Sequence, residues 1–178
     1  LGQDGEAVLA PVDSAAKYLE RSWSGDQVVS KERARTATPF PKSESVSGGW
    51  YYLNQDVEVD GLVSLSGDTW LILGDGNTLD VEGLYIPQGS TLTIYAQSDG
   101  ENAGKIISEP DSGAAIGATS DGHPGGTIVI HGGNIEAKGH ANCAGIGSNA
   151  GNGTTSPITI YGGTITAKGG DNGAGIGI

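Results

Sequence analysis

From residue 57 onward, apolar residues fall on alternate positions in short runs, and the runs are separated by glycine, asparagine or proline. Alternation with period two is the mark of a strand with one buried face. The runs also recur. The stretch "IVIHGGNIEAKG" at 128–139 aligns with "ITIYGGTITAKG" at 158–169 at an offset of 30 residues. The same offset carries "NCAGIG" at 142–147 onto "NGAGIG" at 172–177, and back onto "SGAAIG" at 112–117. Upstream the offset is 22: "VEVDGL" at 57–62 matches "LDVEGL" at 79–84, and Gly67, Thr69, Trp70 and Ile72 match Gly89, Thr91, Leu92 and Ile94.

These repeats predict three strands per unit. First strands fall near 57–59, 79–81, 105–108, 134–137 and 164–167; second strands near 62–65, 84–86, 114–117, 143–147 and 174–177; third strands near 70–73, 92–94, 128–130 and 158–160. The unit lengthens from 22 to 30 residues by loops at Ala118–Thr127 and Ser148–Pro157. Short strands of fixed length with loops that grow predict an all-β fold, a right-handed parallel β-helix solenoid of about four to five coils. A propeller or sandwich fits less well, since a propeller blade needs four strands. Stacking would make interior ladders of Ile128/Ile158, Ile130/Ile160, Ile135/Ile165 and Ile146/Ile176, with Ala137/Ala167 and Ala144/Ala174 keeping the interior narrow. Gly132-Gly133 and Gly162-Gly163 would turn corners where positive φ is needed. Asn142 and Asn172 would stack at another corner.

Residues 1–49 do not repeat and are expected to form an N-terminal cap and connector, with residues 50–178 forming the β-helix. Ser24-Gly25-Asp26 is a turn signal and predicts a β-hairpin pairing 17–23 with 27–34; a short helix capped by Asp13 or Ser14 is the alternative. Trp23, Phe40, Trp50 and Tyr52 are expected to cover the open end of the solenoid, which would otherwise expose unpaired strands; sugar stacking is their other use. The sequence stops at Ile178 inside a unit, so truncation, or end-to-end self-association through an uncapped last coil, is expected.

Composition narrows the function. The formal net charge is −12, which argues against nucleic acid and anionic membrane surfaces and suits cations or neutral glycans. A single cysteine, Cys143, excludes an internal disulfide. No apolar run is long enough to span a membrane as a helix.

The candidate chemistry is sparse. Gly145–Ala150 lacks the helix that a dinucleotide fingerprint needs. Glycoside hydrolysis needs paired carboxylates, and no adjacent pair of aspartates occurs. Glu136 beside Lys138 reads as a surface pair. Asp75, Asn77 and Asp80 could supply oxygens to Ca²⁺ but depart from EF-hand spacing. His131 occupies the position of Tyr161 and reads as a stacked corner residue, not a ligand. Thr93/Val129/Thr159 and Glu136/Thr166 do not make the flat threonine array of an ice-binding face. The two long loops offer Asp121, His123, Asn149, Asn152, Thr154 and Thr155, a polar set suited to a hydroxyl-rich ligand.

The phrases "KYLERSWSGDQVVSKE", "SGGWYYLNQDVEVDGLVSLSGDTWLILGDGNTLDVEGLYIPQGSTLTIYAQ" and "GGTIVIHGGNIEAKG", followed by "AGIG", occur in that order. Together they resemble a module of large secreted surface proteins of Gram-positive bacteria, similar to parallel β-helix carbohydrate-binding-like domains. The resemblance spans residues 17–178. It departs at Gly145-Ile146-Gly147-Ser148, where a triple glycine is usual. It implies a secreted or cell-surface, non-catalytic structural or adhesive module. Its expected partner is a glycan or a host or cell-surface protein. A β-helical polysaccharide lyase or hydrolase is the alternative.

Overall fold

The structure, a computed structural model, describes residues 12–119, 122–149 and 157–178. Fourteen strands and no helix occur among them: β1 (Ser14–Ser24), β2 (Gln27–Pro39), β3 (Ser45–Leu53), β4 (Val57–Leu73), β5 (Thr78–Tyr85), β6 (Thr91–Ala96), β7 (Lys105–Ser108), β8 (Ile116–Gly117), β9 (Thr127–Ile130), β10 (Asn134–Lys138), β11 (Ile146–Gly147), β12 (Ile158–Ile160), β13 (Thr164–Lys168) and β14 (Ile176–Gly177). The all-β, largely parallel organisation is as expected. Only β1 and β2 pair antiparallel over their length.

The parallel strands form three columns. The first runs β4-β5-β7-β10-β13. The second runs β3-β4-β5-β8-β11-β14. The third runs β3-β4-β6-β9-β12. The long strand β4 serves all three in turn. Ile128↔Ile158, Ile130↔Ile160, Ile135↔Ile165, Ala137↔Ala167 and Ile146↔Ile176 pair as the 30-residue offset predicts. Isoleucines 106, 116, 128, 130, 135 and 146 are essentially fully buried.

Two corners follow from backbone geometry. In the second column Gly117 and Gly147 have φ of +137° and +136°, and a Cβ on either would lie 2.0 Å from the carbonyl oxygen of the next rung's glycine, Gly147 or Gly177. Glycine is required there on both counts. At the other corner Asn142 and Asn172 have φ of +61° and +63°, and the Asn172 Nδ2 amide donates to Asn142 Oδ1 at 3.3 Å. Asparagine tolerates this left-handed conformation better than most residues, and here its amide also bonds to its own copy.

The 22-residue repeat needs correction. Val57↔Leu79 and Val59↔Val81 keep that offset, but a bulge then shifts the pairing to Leu62↔Gly83 and Val63↔Leu84. In the third column the slip runs the other way, Thr69↔Leu92 and Leu71↔Ile94. A one-residue slip exchanges the two faces of a strand. Val63, not Leu62, therefore faces the core, and Leu62 is exposed. Leu71 and Leu73 face inward, while Trp70 and Ile72 lie on the outer side with their neighbours Trp50 and Tyr52. The parallel pairing also begins earlier than expected: β3 starts at Ser45, so the position 49/50 boundary falls inside a strand.

The hairpin forms, longer than predicted, and the helical alternative does not. It does more than cover one end. β2 finishes parallel to β3 through Thr38↔Tyr51 and Pro39↔Tyr52, and β1 lies over the outside of the third column. Of the proposed capping residues, only Phe40 packs into the core, edge-on to Tyr51 at 5.8 Å. Trp50 and Tyr52 pack under the hairpin, and Trp23 is 62% exposed near its tip.

Thr69 sits in the inward-facing position between Gly49 and Leu92. It is 1% exposed, and its hydroxyl is the one fully buried side-chain polar atom without a partner among the described residues. A buried hydroxyl without a bond is a net cost. Thr69→Val should therefore raise unfolding stability by about 1 kcal/mol, read as a higher urea midpoint at unchanged slope; a lower midpoint would mean the hydroxyl has a partner.

Candidate functional site

Strand alternation sets which hairpin residues meet the sheet. Ala16↔Arg35, Tyr18↔Arg33 and Glu20↔Lys31 are cross-strand pairs, so they share one face of the ribbon. Ala16, Tyr18 and Ala37 on that face are buried against Ile72 and Tyr95, with Trp50, Tyr52 and Trp70 packed alongside. The aromatic residues make a continuous row along the column. Trp50 stacks on Trp70 at 5.4 Å and 7°, and on Tyr95 at 5.7 Å and 6°. Tyr18 tilts against Trp50 and Tyr95 at 5.4 and 4.5 Å. Tyr95 continues to His131 at 4.5 Å and His131 to Tyr161 at 5.1 Å. Offset or tilted aromatic pairs contribute about 0.5–1.5 kcal/mol each beyond their buried area. The row thus fastens the hairpin to three successive rungs.

An open groove of about 630 Å³ remains between the ribbon and the sheet, lined by Tyr18, Glu20, Arg33, Arg35, Trp50, Trp70 and Tyr95. The Arg35 guanidinium lies over the Trp50 ring at 4.7 Å, and Arg33 Nε donates to Glu20 Oε2 at 2.8 Å. The hydroxyls of Tyr18 and Tyr95 are shielded from water. Burial raises both phenol pKa values, that of Tyr95 to about 12, so both stay protonated donors throughout the physiological range.

The deep end of the hairpin is held by Arg21. Its backbone N–H donates to His131 Nδ1 at 2.9 Å, its Nη1 donates to the His131 carbonyl, and its Nη2 donates to both oxygens of Asp99 at 2.7 and 2.6 Å. Arg21 is only 8% exposed. Because Nδ1 accepts from a backbone amide, the imidazole must be neutral. Burial pushes its pKa down, with the Arg21 charge acting in the same direction.

Of the loop residues predicted from sequence, the structure describes His123 and Asn149. His123 lies before β9 in a segment bridged to Pro87 through Gly125, and Asn149 follows β11 with a backbone bridge to Cys143. Asp121, Asn152, Thr154 and Thr155 lie outside the described residues. The proposed calcium trio is spread among other tasks. Asp75 Oδ1 accepts from Ser98, Asn77 Nδ2 donates to the Leu53 carbonyl, and Asp80 lies exposed in β5. No group of three or more His, Cys, Asp or Glu is placed to hold a metal among the described residues. Glu136 and Lys138 do not pair with each other; Glu136 accepts from Lys105 at 2.8 Å and Lys138 donates to Glu109. Sequence reasoning singled out Trp50, and His131 over Tyr161 as a stack, but missed Tyr18 and Tyr95 and the groove. The available signal was the set of aromatic residues at outward positions of strands that are otherwise apolar inside.

Among known families, the model described as a β-helix repeat matches residues 128–152 and 158–177. No curated protein and no solved structure matches the chain. The matched residues hold β10, β11, β12, β13 and β14 and most of β9, where paired residues lie 30 apart, and they are similar to that repeat in sequence.

The hairpin anchor has a pH signature. With its folded pKa below the unfolded value of 6.5, His131 contributes stability that is complete above about pH 6.5 and declines as the pH falls, levelling off once the folded pKa is passed. His131→Tyr, which places the next rung's residue here, should remove this component. Urea midpoints at about pH 7.5 and about pH 5 should show a larger acid loss in the wild type than in the variant; equal losses would exclude His131 as the source.

Proposed function

We propose that this chain is a non-catalytic structural or adhesive module of a secreted or cell-surface protein, built as a right-handed parallel β-helix of about four to five coils, and that it binds carbohydrate in the hairpin groove. One observation carries the binding reading: aromatic rings and guanidinium groups line a single open groove. Among the described residues no hydrogen bond uses the indole N–H of Trp50 or Trp70. A sugar ring offers alternating hydroxyl groups and apolar C–H patches. Fixed donors set among aromatic carbon match both. The faces of Trp50 are already used by Trp70, Tyr95 and Arg35, so a sugar would meet ring edges and N–H groups rather than lie flat on an indole.

The remaining partner expectations are consistent with this reading. Among the described residues no helix is long and apolar enough to cross a membrane. A chain of charge −12 disfavours nucleic acid. The strands β12, β13 and β14 each pair on one side only, and Ile160 and Ile176 are 39% and 45% exposed; end-to-end association of copies or a protein partner would use these edges.

The enzyme reading has one arrangement in its favour. Glu58 and Asp80 are neighbours in the first column, and with Asp56 and Lys42 they border a hollow of about 510 Å³. Asp56 already accepts from the Thr78 amide at 2.8 Å, and the carboxylates face solvent, whereas a general acid needs an environment that keeps its proton.

A glycan array probed with and without calcium should give retained ligands, and Trp70→Ala should weaken them at least about tenfold, the scale of an interface aromatic truncation. A bare array would sink the carbohydrate reading. Release of reducing ends from a polysaccharide, abolished by Glu58→Gln, would establish the enzyme instead.

A further inference from the structure

The ligand's charge can be read from β2. Lys31, Arg33 and Arg35 alternate along one face of that strand, and five residues thus hold three of the chain's nine Lys and Arg. Their one carboxylate neighbour on that face is Glu20, which accepts from Arg33 Nε and leaves the terminal nitrogens of Arg33 uncommitted. Arg35 has no carboxylate partner among the described residues. Contact with Trp50 at 4.7 Å sets where its guanidinium sits, and no side-chain hydrogen bond among the described residues uses its N–H groups. This matters because the molecule as a whole carries −12. Most cations on such a surface sit next to an acid, as Lys17, Lys105 and Lys138 do. The groove instead holds one cation without an acid beside it, Arg35, next to the Arg33–Glu20 pair and the indole edges.

Resting on the carbohydrate reading above, we propose that the groove selects a saccharide bearing a single carboxylate on an otherwise neutral chain, with Arg35 as its bidentate partner and Arg33 beside it. A guanidinium fork matches the two oxygens of a carboxylate in one plane. Pre-orientation on Trp50 reduces the entropy lost when the bonds form. The surrounding negative field sets the upper limit on ligand charge. A polyanion would extend from the groove over acidic surface and be repelled, while one charge in the groove is not. Neutral sugar residues on either side would meet the tyrosine and tryptophan edges.

The test uses calorimetric titration of the whole chain with four probes: a neutral oligosaccharide, the same oligosaccharide ending in a glucuronate, its sulfate-ester counterpart, and a long polyuronate. The glucuronate probe should bind at least about tenfold more tightly than the neutral one, and raising the salt from about 0.05 M to about 0.5 M should reduce that advantage. Arg35→Ala should remove the advantage, read as the ratio of glucuronate to neutral affinity in the same variant. Arg35→Lys should recover only a small part of it, since an ammonium lacks the fork. Unchanged thermal unfolding and circular dichroism in Arg35→Lys show that the ribbon is still in place. Equal binding of the neutral and glucuronate probes would overturn the inference while leaving the carbohydrate reading standing. Preference for the sulfate ester over the carboxylate, or polyuronate affinity that grows with length, would also overturn it. Failure of all four probes would remove both.

Discussion

Every outward consequence of this fold depends on one constraint: in a parallel, in-register stack, each residue must be compatible with its own counterpart one rung away. Adjacent rungs are separated by about 4.8 Å, so a column is a run of self-contacts. Isoleucine meets isoleucine in the core, which packs branched side chains without a partner of different shape. Asn142 meets Asn172 and bonds amide to amide. Gly117 and Gly147 lie where a Cβ would collide with the carbonyl of the next rung's glycine. Charge is the poor case, since Lys138 sits directly beside Lys168; Lys138 relieves this by reaching to Glu109 one rung back.

The same constraint explains the need for the hairpin. Strands of two to five residues, such as β8, β11 and β14, carry few ladder bonds each. A ribbon laid across the rungs ties several together at once. Its attachment is of two kinds. Near its base, apolar and aromatic contact with Ile72, Tyr95 and Trp50 is non-directional and tolerates small shifts. Deeper along, Arg21 fixes position through directional bonds to His131 and Asp99. The ion pair is buried on the arginine side only, since the Asp99 side chain is 62% exposed. Its strength is accordingly reduced by solvent, and the buried Arg21–His131 bonds set the register.

What the sequence revealed, and what it hid, follows from the same geometry. The 30-residue units from 112 onward were legible in full because offset and register coincide there: residue i pairs with i + 30 on the same face. The 22-residue units were legible only in their first strands. A bulge after Val59 and an opposite slip before Thr69 keep the unit length but exchange the faces, and similarity of residues cannot report such a compensated shift. The run "TWLIL" at 69–73 held the clue, since an apolar residue at every position means both faces are covered. The hairpin itself could be read from its turn, but not its destination, because contacts between β1 and a third-column ring such as His131 join residues 110 apart with no periodicity to connect them. For the candidate site this loss was larger, because the groove exists only where the two elements meet.

The contrast between global and local charge gives the groove its character. A net charge of −12 disfavours indiscriminate association between copies of a strand-rich chain. Such a charge also repels most anions, so a protein that must bind one has to build a local exception. Placing the cations on the ribbon rather than on the columns is the arrangement that stacking permits. A column position would set each arginine about 4.8 Å from its counterpart in the next rung if the repeat were kept. The antiparallel ribbon carries no repeat, so Arg33 and Arg35 occur once each, and Trp50 and Trp70, stacked face to face below them, supply the row of ring edges that a self-stacking column makes readily. Repetition provides the platform, and the one non-repeating element provides the asymmetry that recognition needs.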